Sequence, residues 1–363
     1  MASLSFPAIS VPTSVRRGLA PTQTARSGPT ARSAGPGTGR RRLGSVFSSG
    51  ANLARPSPIL SRIGEESFDK REPMVPPFNV LITGSTKGLG FALAREFLKA
   101  GDNVVICSRS GILLLLFVVV TSNIDFVAIR HANGGGAERV ESAVQNLRNE
   151  FGEQHVWGTV CDVRKGEDVK ELVNFARDRL KYIDIWINNA GSNAYSYKPL
   201  VETSDQDLME VVTTNTLGLM ICCREAINMM LNQPRGGHIF NIDGAGSDGR
   251  PTPRFAAYGA TKRSVVHLTK SLQAELQMNE VKNVMVHNLS PGMVTTDLLM
   301  SGATTKQAKF FINILAEPPE VVAEYLVRCI RSVPSSRSMK PTYIRFLTGL
   351  KAYSQIFSVK KPT

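Results

Sequence analysis

Several features that mark secreted, metal-binding or membrane-spanning proteins are scarce in this sequence. The 363 residues include only five cysteines, and their spacing shows no disulfide framework. The five histidines are scattered and lack the spacing of metal ligands. No apolar run reaches the about 20 residues that a helix needs to cross a bilayer. The sequence therefore favours a protein of a reducing compartment that holds no metal and does not span a membrane.

Acidic residues are missing altogether from residues 1–64, which contain nine arginines and no lysine. The rest of the chain accounts for only +4 of the formal charge of +13, so the basic balance does not indicate nucleic-acid binding. The stretch is rich in serine, alanine, proline and glycine and has no long apolar core. This composition predicts a disordered transit peptide, directed to the chloroplast, with a generic basic tail as the alternative.

The folded part is predicted to follow a proline-rich linker at 65–77 and to continue to residue 350, with 351–363 as a tail. Within 78–350, short apolar segments alternate with amphipathic segments of helical length. This alternation predicts one α/β domain, a single Rossmann-type, doubly wound parallel sheet.

A buried strand at 78–83 is followed at once by a glycine-rich loop and an amphipathic helix that extends to Ala100. This order brings a pyrophosphate against the amide groups of a helix N-terminus. The loop has the spacing Gly-x-x-x-Gly-x-Gly, and glycine allows the backbone to approach phosphate closely. The loop residues predicted to bind the cofactor are Gly84, Ser85, Thr86, Lys87, Gly88, Leu89 and Gly90.

The second predicted strand ends at Ser108 and Arg109. Many NAD enzymes have an acidic residue at this point, which binds the ribose 2′-hydroxyl. Arg109, together with Lys87 in the loop, instead favours a 2′-phosphate and therefore NADPH, with NADH as the alternative if Arg109 is only a surface residue. After the third strand come Asp162 and Val163, where the carboxylate is expected to accept a hydrogen bond from the adenine amino group.

Residues 111–136 interrupt the pattern. They begin with nine consecutive apolar residues at 112–120, too few to cross a bilayer, and end in three glycines. Excising them joins Ser110 to a plausible helix at 137–151. We interpret the segment as a translated intron or another gene-model error, and an inserted hairpin or membrane-touching loop is the alternative.

Tyr258 and Lys262 are four residues apart in a segment, 255–278, whose apolar residues recur at helical spacing. On a helix these two side chains lie on one face. A nearby cation lowers the pKa of a phenol from its usual value of about 10. Such a tyrosine gives its proton to an oxygen that is becoming an alkoxide, so the pair indicates an acid for carbonyl reduction.

Taken together, the motifs resemble those of the short-chain dehydrogenase/reductase family. The following elements occur in the family's order and approximate spacing: the glycine loop, Asn188-Asn189-Ala190-Gly191, Asn215, the Tyr258–Lys262 pair and Pro291-Gly292. The resemblance implies that Tyr258 is the acid, that Lys262 binds the nicotinamide ribose and lowers the pKa of Tyr258, and that Asn215 holds a water of the proton relay. The further cofactor contacts that it implies are Asn189, Ala190, Gly191, Pro291, Gly292, Val294 and Thr295, the last at the nicotinamide carboxamide.

One position departs from the family's pattern. The family usually has a serine about 13 residues before the tyrosine, which steadies the substrate carbonyl. Counting back from Tyr258 leads to Ala245, and the nearest hydroxyl belongs to Ser247. Either Ser247 takes the role of that serine, or Asp243 or a backbone amide replaces it.

The stretches 193–200, 241–258 and 288–311 more closely resemble the plant chlorophyll(ide) b reductases, a branch of this family. The resemblance implies reduction of the C7 formyl group of chlorophyll b or chlorophyllide b to a hydroxymethyl group. A substrate of that size needs a wide apolar cleft. Residues 298–316 are expected to form a movable cover for it, with a core-packing helix pair as the alternative.

The same resemblance implies where the protein works and with what. It implies association with a membrane-bound paralogous chlorophyll b reductase and with a light-harvesting complex, peripheral attachment at the stromal side of the thylakoid, and an oligomer. Two other functions stay open at this point. One is another plastid carbonyl reductase, such as a 3-oxoacyl reductase, and the other is an inactive cofactor-binding scaffold disabled by the insertion.

Overall fold

The computed structural model describes residues 74–109, 135–302, 305–336, 340–350, 352 and 354. All of them belong to one compact unit, Arg55–Thr363. The predicted transit peptide, nearly all of the predicted insertion and nearly all of the predicted tail lie outside the described residues. These boundaries therefore stay predictions.

Seven parallel strands of the described chain form one sheet, which confirms the predicted doubly wound α/β fold. In chain order these strands are β1 (Asn79–Thr83), β2 (Asn103–Ser108), β3 (Val156–Val160), β4 (Ile185–Asn188), β5 (Gly237–Ile242), β6 (Val284–Ser290) and β9 (Tyr343–Arg345). Their order across the sheet is β3-β2-β1-β4-β5-β6-β9. The chain first winds outward from β1 to β3 and then returns to place β4 on the other side of β1. The reversal creates the crevice in which such sheets bind ligands.

The sheet separates two apolar cores, because successive side chains of a strand point to opposite faces. In β1, Val80 and Ile82 pack into one core, whereas Leu81 packs into the other together with the fully buried Trp186. The helices that cover the first face are α1 (Gly88–Lys99), α2 (Gly136–Phe151) and α9 (Pro319–Ser335). The helices that cover the second face are α3 (Gly166–Leu180), α5 (Leu219–Leu231) and α6 (Ala256–Met278).

Residues 205–231 form one continuous helix, but it is not a regular α-helix throughout. It begins as α4 (Asp205–Val212), passes through a π-helical turn at Thr213–Gly218 and continues as α5. Its start is capped by Ser204, whose side chain accepts a hydrogen bond from a backbone N–H of the first turn at 3.1 Å. Such wide turns often occur at functional sites, and this one holds Asn215.

Sequence analysis did not identify α9 and β9. The buried face of α9 packs against α1, and Arg331 on α9 approaches the fully buried Asp102 with Nε 2.9 Å from Oδ2. β9 extends the sheet by pairing with β6, so that Leu289 lies opposite Ile344. Both elements fix the C-terminal part of the described chain to the domain.

The segment predicted to cover the cleft forms two short helices, α7 (Asp297–Met300) and α8 (Lys306–Leu315). Two short strands, β7 (Met293–Val294) and β8 (Ala316–Glu317), pair with each other and join the two ends of this segment. Ile312 is the single buried residue of α8, while Met300 and Phe310 are about half exposed. α8 therefore buries little of its surface, and the movable cover and the core-packing helix pair both stay predictions.

Candidate active site

The predicted site residues come together where the strands end. The loop after β1 is the glycine loop, and the loop after β4 holds residues 189–191. The loop after β5 begins with Asp243 and Gly244, and the loop after β6 holds Pro291 and Gly292. All four loops lie at the carboxyl edge of one parallel sheet, which is the edge that carries the ligand site in this architecture.

The glycine loop and the turn after β4 are pressed closely together. A Cβ atom on Gly84 would lie 2.8 Å from the Cα atom of Ala190, and one on Gly90 would lie 2.6 Å from the carbonyl oxygen of Gly84. Asn189 fastens the two segments, since its Nδ2 donates to the carbonyls of Thr83 and Gly84 at 2.9 and 2.8 Å. Only glycine fits these two positions, and a glycine loop that leads into a helix N-terminus is the arrangement that binds a pyrophosphate.

The side chains of Ser85 and Leu89 in the glycine loop mainly stabilise the fold. Ser85 is fully buried, and its hydroxyl donates to the carbonyl of Ile82 at 2.6 Å and accepts from the N–H of Cys107 at 3.1 Å. Leu89 packs into the first apolar core. Any contact of Leu89 with a cofactor therefore comes from its backbone at the beginning of α1.

The two cations predicted to bind a 2′-phosphate are held by different elements. Arg109 forms an ion pair with Glu210 of α4, with Nη1 2.5 Å from Oε1. The same Glu210 carboxylate pairs at 2.7 Å with Arg164, which also contacts both oxygens of Asp162. Lys87 instead lies 2.8 Å from Asp297, the first residue of α7. The structure thus joins Arg109 and Asp162 through one network and links Lys87 to the cover.

Tyr258 and Lys262 lie one turn apart on α6, as predicted. The Nζ atom of Lys262 is 5.7 Å from the centre of the Tyr258 ring and donates to the carbonyl of Ile242 at 3.1 Å. Burial lowers the pKa of Lys262 to about 8 against the opposing effect of Asp243. Burial and the negative charge of Asp243 together raise the pKa of Tyr258. The predicted lowering of the Tyr258 pKa is therefore wrong for this structure, because burial disfavours the phenolate.

Asn215 holds the loop after β4 against α6. Its Oδ1 accepts from the N–H of Ser192 at 2.8 Å, and its Nδ2 donates to the Ser192 carbonyl at 2.8 Å and to the Thr261 hydroxyl at 3.0 Å. Both donors of the amide are used, which leaves one lone pair of Oδ1 for a water. A Cβ atom on Gly191 would lie 3.5 Å from this Oδ1 and 3.7 Å from the Lys262 Nζ. The structure thus brings Gly191, Asn215 and Lys262 together.

The position that faces the Tyr258 hydroxyl is Gly244, one residue before the position found by counting. A Cβ atom on Gly244 would lie 2.6 Å from Tyr258 Oη and 3.2 Å from Lys262 Cγ. The predicted Ser247 is buried and interacts with the Asp243 carboxyl group and with Tyr343 of β9. Counting back 13 residues from Tyr258 led to Ala245 because it assumes a loop of fixed length between the end of β5 and Tyr258.

Asp243 forms the centre of a buried polar cluster next to this glycine. The Tyr343 hydroxyl donates to Asp243 Oδ2. Burial raises the pKa of the Asp243 carboxyl group, and hydrogen bonds from Tyr343, Ser290 and Ser247 together with the charge of Lys262 oppose that rise. Sequence analysis missed Tyr343 and Ser290, since β9 and the end of β6 meet only in the folded sheet.

The turn after β6 meets the glycine loop through Thr296, and the predicted contact of Thr295 with the nicotinamide carboxamide stays a prediction. Thr295 is exposed, and its N–H and hydroxyl donate to the Glu317 carbonyl at 3.0 and 3.4 Å. Its neighbour Thr296 faces the glycine loop, where a Cβ atom on Gly88 would lie 3.2 Å from Thr296 Cγ2.

Of the remaining predicted contacts, Pro291 is buried, and Gly292 has a φ of +76° and packs against Leu347. The last four are Ser108 at the end of β2, the half-buried Thr86 of the glycine loop, and the buried Val163 and Val294, which pack into the two cores.

An open, shallow pocket lies beside Tyr258. One wall is aromatic: the Phe255 ring lies 6.1 Å from the Tyr258 ring and 4.7 Å from the Tyr197 ring, measured between centres. The cover contributes to this wall, since a Cβ atom on Gly302 would lie 2.7 Å from Phe255 Cζ. The arrangement provides an acid at the base of a cleft with an apolar side.

The fold and this site define the class of protein. A family model described as short chain dehydrogenase matches residues 127–307. The chain belongs to the short-chain dehydrogenase/reductase family of oxidoreductases. A crystal structure of an actinorhodin polyketide ketoreductase variant with NADPH has a TM-score of 0.59 at 23% identity, covering 77% of this chain and 99% of that chain.

Within the family, the sequence is similar to two plant proteins. It is 79% identical over 289 residues to the chloroplastic chlorophyll(ide) b reductase NOL of Oryza sativa subsp. japonica, covering 80% of this chain and 77% of that protein. It is 75% identical to the protein of the same name from Arabidopsis thaliana, covering 80% of this chain and 75% of that protein. The resemblance found in the sequence is confirmed.

Proposed function

We propose that this protein reduces the C7 formyl group of chlorophyll b or chlorophyllide b to a hydroxymethyl group, the first step of chlorophyll b breakdown. The observation that carries the proposal is the identity of 79% and 75% to two plant chlorophyll(ide) b reductases. The Tyr258–Lys262 pair beside an open pocket supports it, because reduction of an aldehyde needs a proton donor at the carbonyl oxygen.

The cofactor is a nicotinamide dinucleotide, which supplies a hydride when it is bound. The close contact of Gly84 with Ala190 leaves the backbone at the start of α1 free for its pyrophosphate. We propose that NADPH is preferred to NADH, since Arg109 lies just after β2 where an acidic residue would select NADH. A 2′-phosphate there would replace Glu210 as the partner of Arg109.

In the proposed reaction, the formyl carbon gains a C–H bond while the π bond of the carbonyl group breaks toward oxygen. The Tyr258 hydroxyl gives its proton to that oxygen. The ammonium group of Lys262 is held by the carbonyl of Ile242, from where it stabilises the negative charge left on the phenol. Asn215 keeps the loop after β4 in place against α6 during this step. The aldehyde is reduced by two electrons, and the cofactor is oxidised by two.

Gly244 and Asp243 take the place of the serine that the family usually has. The absence of a side chain at Gly244 leaves the space beside Tyr258 Oη open for the carbonyl oxygen of a bulky aldehyde. We propose that Asp243 balances the charge of Lys262, while Tyr343 and Ser247 hold the Asp243 carboxyl group. In this arrangement Ser247 acts on Asp243 and not directly on the substrate.

The proposed location is the chloroplast, on the stromal side of the thylakoid membrane, and the proposed partners are a membrane-bound paralogous reductase and a light-harvesting complex. Both relatives are named as chloroplastic. None of the helices in the described part of the chain is long and apolar enough to cross a membrane. The half-exposed Met300 and Phe310 of the cover support a peripheral contact with an apolar surface.

The proposal is tested with the full chain, chlorophyll b and NADPH, with chromatography of the pigment as the readout. We expect the 7-hydroxymethyl product from the parent chain and none from Tyr258→Phe. If neither forms product, the chain lacking residues 111–136 is assayed next. Activity restored by the deletion would show that the insertion disables the enzyme. If the chain reduces a 3-oxoacyl thioester but no pigment, the proposed substrate is wrong and the protein is a 3-oxoacyl reductase.

A further inference from the structure

The pocket beside Tyr258 carries two cationic side chains that reduction of a formyl group does not require. Lys198 and Arg254 line the same pocket as Tyr258, and both are exposed. Within the described part of the chain, neither of them forms an ion pair with an acidic residue. Asp207 is the one acidic residue among the described lining residues. The mouth of the pocket is therefore net positive.

The aromatic wall connects the catalytic hydroxyl with this positive end. From Tyr258 the row of rings passes through Phe255 to Tyr197, and the guanidinium carbon of Arg254 lies 5.4 Å from the centre of the Tyr197 ring. Tyr258 is partly buried, whereas Arg254 is exposed. The pocket thus has an inner end with a proton donor and an outer end with a cation.

The backbone at Arg254 is held in an unusual conformation. Its φ of +64° lies in the left-handed region, which residues other than glycine rarely adopt. Arg254 is the third residue of a turn in which the N–H of Phe255 donates to the carbonyl of Thr252 at 2.9 Å. The conformation places Arg254 against the Tyr197 ring, and such outliers concentrate at ligand-binding positions.

The chemistry of the proposed substrate matches these two ends. In chlorophyllide b, the formyl group and the propionic acid side chain are attached to pyrrole rings on opposite sides of the macrocycle. The pocket is open and small, so it holds no more than an edge of the macrocycle. With the edge that bears the formyl group at Tyr258, the opposite edge with the carboxylate lies toward the exposed Arg254.

We propose that Lys198 and Arg254 form a subsite for the propionate carboxylate of chlorophyllide b, so that the free acid is preferred to an ester. This inference rests on the proposed function. A guanidinium group binds a carboxylate through two parallel hydrogen bonds, and an ammonium group adds a point charge. Since both side chains are exposed, we expect a preference of about three- to tenfold in kcat/KM.

The test compares chlorophyllide b with its methyl ester, which has nearly the same size but no negative charge. The ratio of kcat/KM for acid and ester is measured for the full chain, and the Kd of each pigment is measured separately by the change in its fluorescence. We expect the ratio to fall toward one in Arg254→Met and Lys198→Met and to rise in Asp207→Asn. The ratio also corrects for loss of the Arg254 contact with Tyr197, which affects both pigments.

Lys270→Met is the matched control. Lys270 is an exposed residue of α6, 12 residues after Tyr258 and therefore about 18 Å along the helix axis. This variant removes one positive charge outside the pocket, so its ratio of acid to ester should equal that of the parent chain. The preference should also decrease with added salt, because exposed charges are screened.

The outcomes separate the subsite from the proposed function. If both pigments are reduced and the ratio of acid to ester is the same in the variants as in the parent chain, the subsite is refuted and the reductase function stays intact. Tighter binding of the acid than of the ester, lost in Arg254→Met but without turnover, would support the subsite and refute the reductase function. Equal Kd values of acid and ester in the parent chain would overturn the inference in either case.

Discussion

Gly244 lies against the Tyr258 hydroxyl with almost no space between them. Since a Cβ atom there would come within 2.6 Å of Tyr258 Oη, Gly244→Ala must push the phenol away from its position. We expect kcat for pigment reduction to fall about 10- to 100-fold, because small displacements of a catalytic group are costly. Gly135→Ala is the control, since no atom of the described residues lies within 4 Å of its added Cβ atom. An alanine at 244 with undiminished kcat would contradict the geometry.

Tyr343 reaches the site from the last strand of the sheet and donates to the buried Asp243 carboxyl group. Tyr343→Phe removes that donor, which should destabilise the fold by about 1–3 kcal/mol in urea unfolding. It should also raise the pKa of Asp243 further, because this hydrogen bond lowers it. Since the Asp243 charge raises the pKa of both Tyr258 and Lys262, the limbs of the kcat/KM profile should move to lower pH.

A purely structural role for Tyr343 predicts a loss of stability without any shift of the pH profile. Tyr182→Phe serves as the control, because the Tyr182 ring stacks under Arg235 at 4.1 Å, away from the residues of the site. That variant should keep both the pH profile and the stability close to those of the parent chain.

At the scale of elements, β5 and β6 share a buried pair of histidines. His238 Nδ1 lies 3.0 Å from His287 Nε2, and the N–H of Thr342 donates to His287 Nδ1. His287 is therefore neutral and donates from Nε2 to His238. Burial lowers the pKa of His238 to about 4, and burial together with His238 lowers that of His287 to about 3.

This pair should make the domain sensitive to acid. In the unfolded chain both histidines titrate near pH 6.5. Below that pH the unfolded state binds more protons than the folded state, so stability is complete above pH 6.5 and is lost as the pH falls toward 4. We expect a loss of about 1.4 kcal/mol per pH unit for each histidine, measured by urea unfolding between pH 7.5 and 5.

The exposed His267 provides the control for this pH dependence. His267→Gln should leave the slope of unfolding free energy against pH unchanged, whereas His287→Gln should reduce it. If both variants keep the slope of the parent chain, the buried pair is not the source of the acid sensitivity.

At the scale of the whole molecule, a bound cofactor should stabilise the described domain as a unit. A ligand present at 100 times its Kd raises the free energy of unfolding by about 2.7 kcal/mol. We expect NADPH to raise Tm more than NADH at equal concentration, and Arg109→Ala to remove most of that difference. This measurement needs no turnover and therefore does not depend on the pigment.

Arg95→Ala is a closely matched control for Arg109→Ala. Both arginines pair with a glutamate, and their side chains are 38% and 39% exposed, respectively. Arg95 pairs with Glu150 of α2 and not with a residue at the carboxyl edge of the sheet. An equal loss of the NADPH effect in both variants would show that Arg109 does not select the cofactor.

The order of the elements up to β6 was accessible from the sequence because each of them carries a local signal, whereas α9 and β9 were not identified. Buried strands are visible in the sequence as apolar runs. The glycine loop indicates a position of close backbone contact, which in the structure is the contact of Gly84 with Ala190. The Tyr258–Lys262 spacing is a property of one helix and needs no tertiary information. For the same reason the resemblance to a family of reductases rested on motifs that stay in order along the chain.

Contacts between distant segments were decided only by the tertiary structure. Three such contacts depend on the register of strands and the packing of helices. They join Gly244 to Tyr258, Tyr343 to Asp243, and Glu210 to Arg109. The direction of the Tyr258 pKa shift belongs here too, since burial and the nearby Asp243 charge, which raise this pKa, are properties of the fold. Spacing along the chain determined which groups the site contains, and packing decided what each group faces, because one dimension of sequence does not encode distances across a sheet.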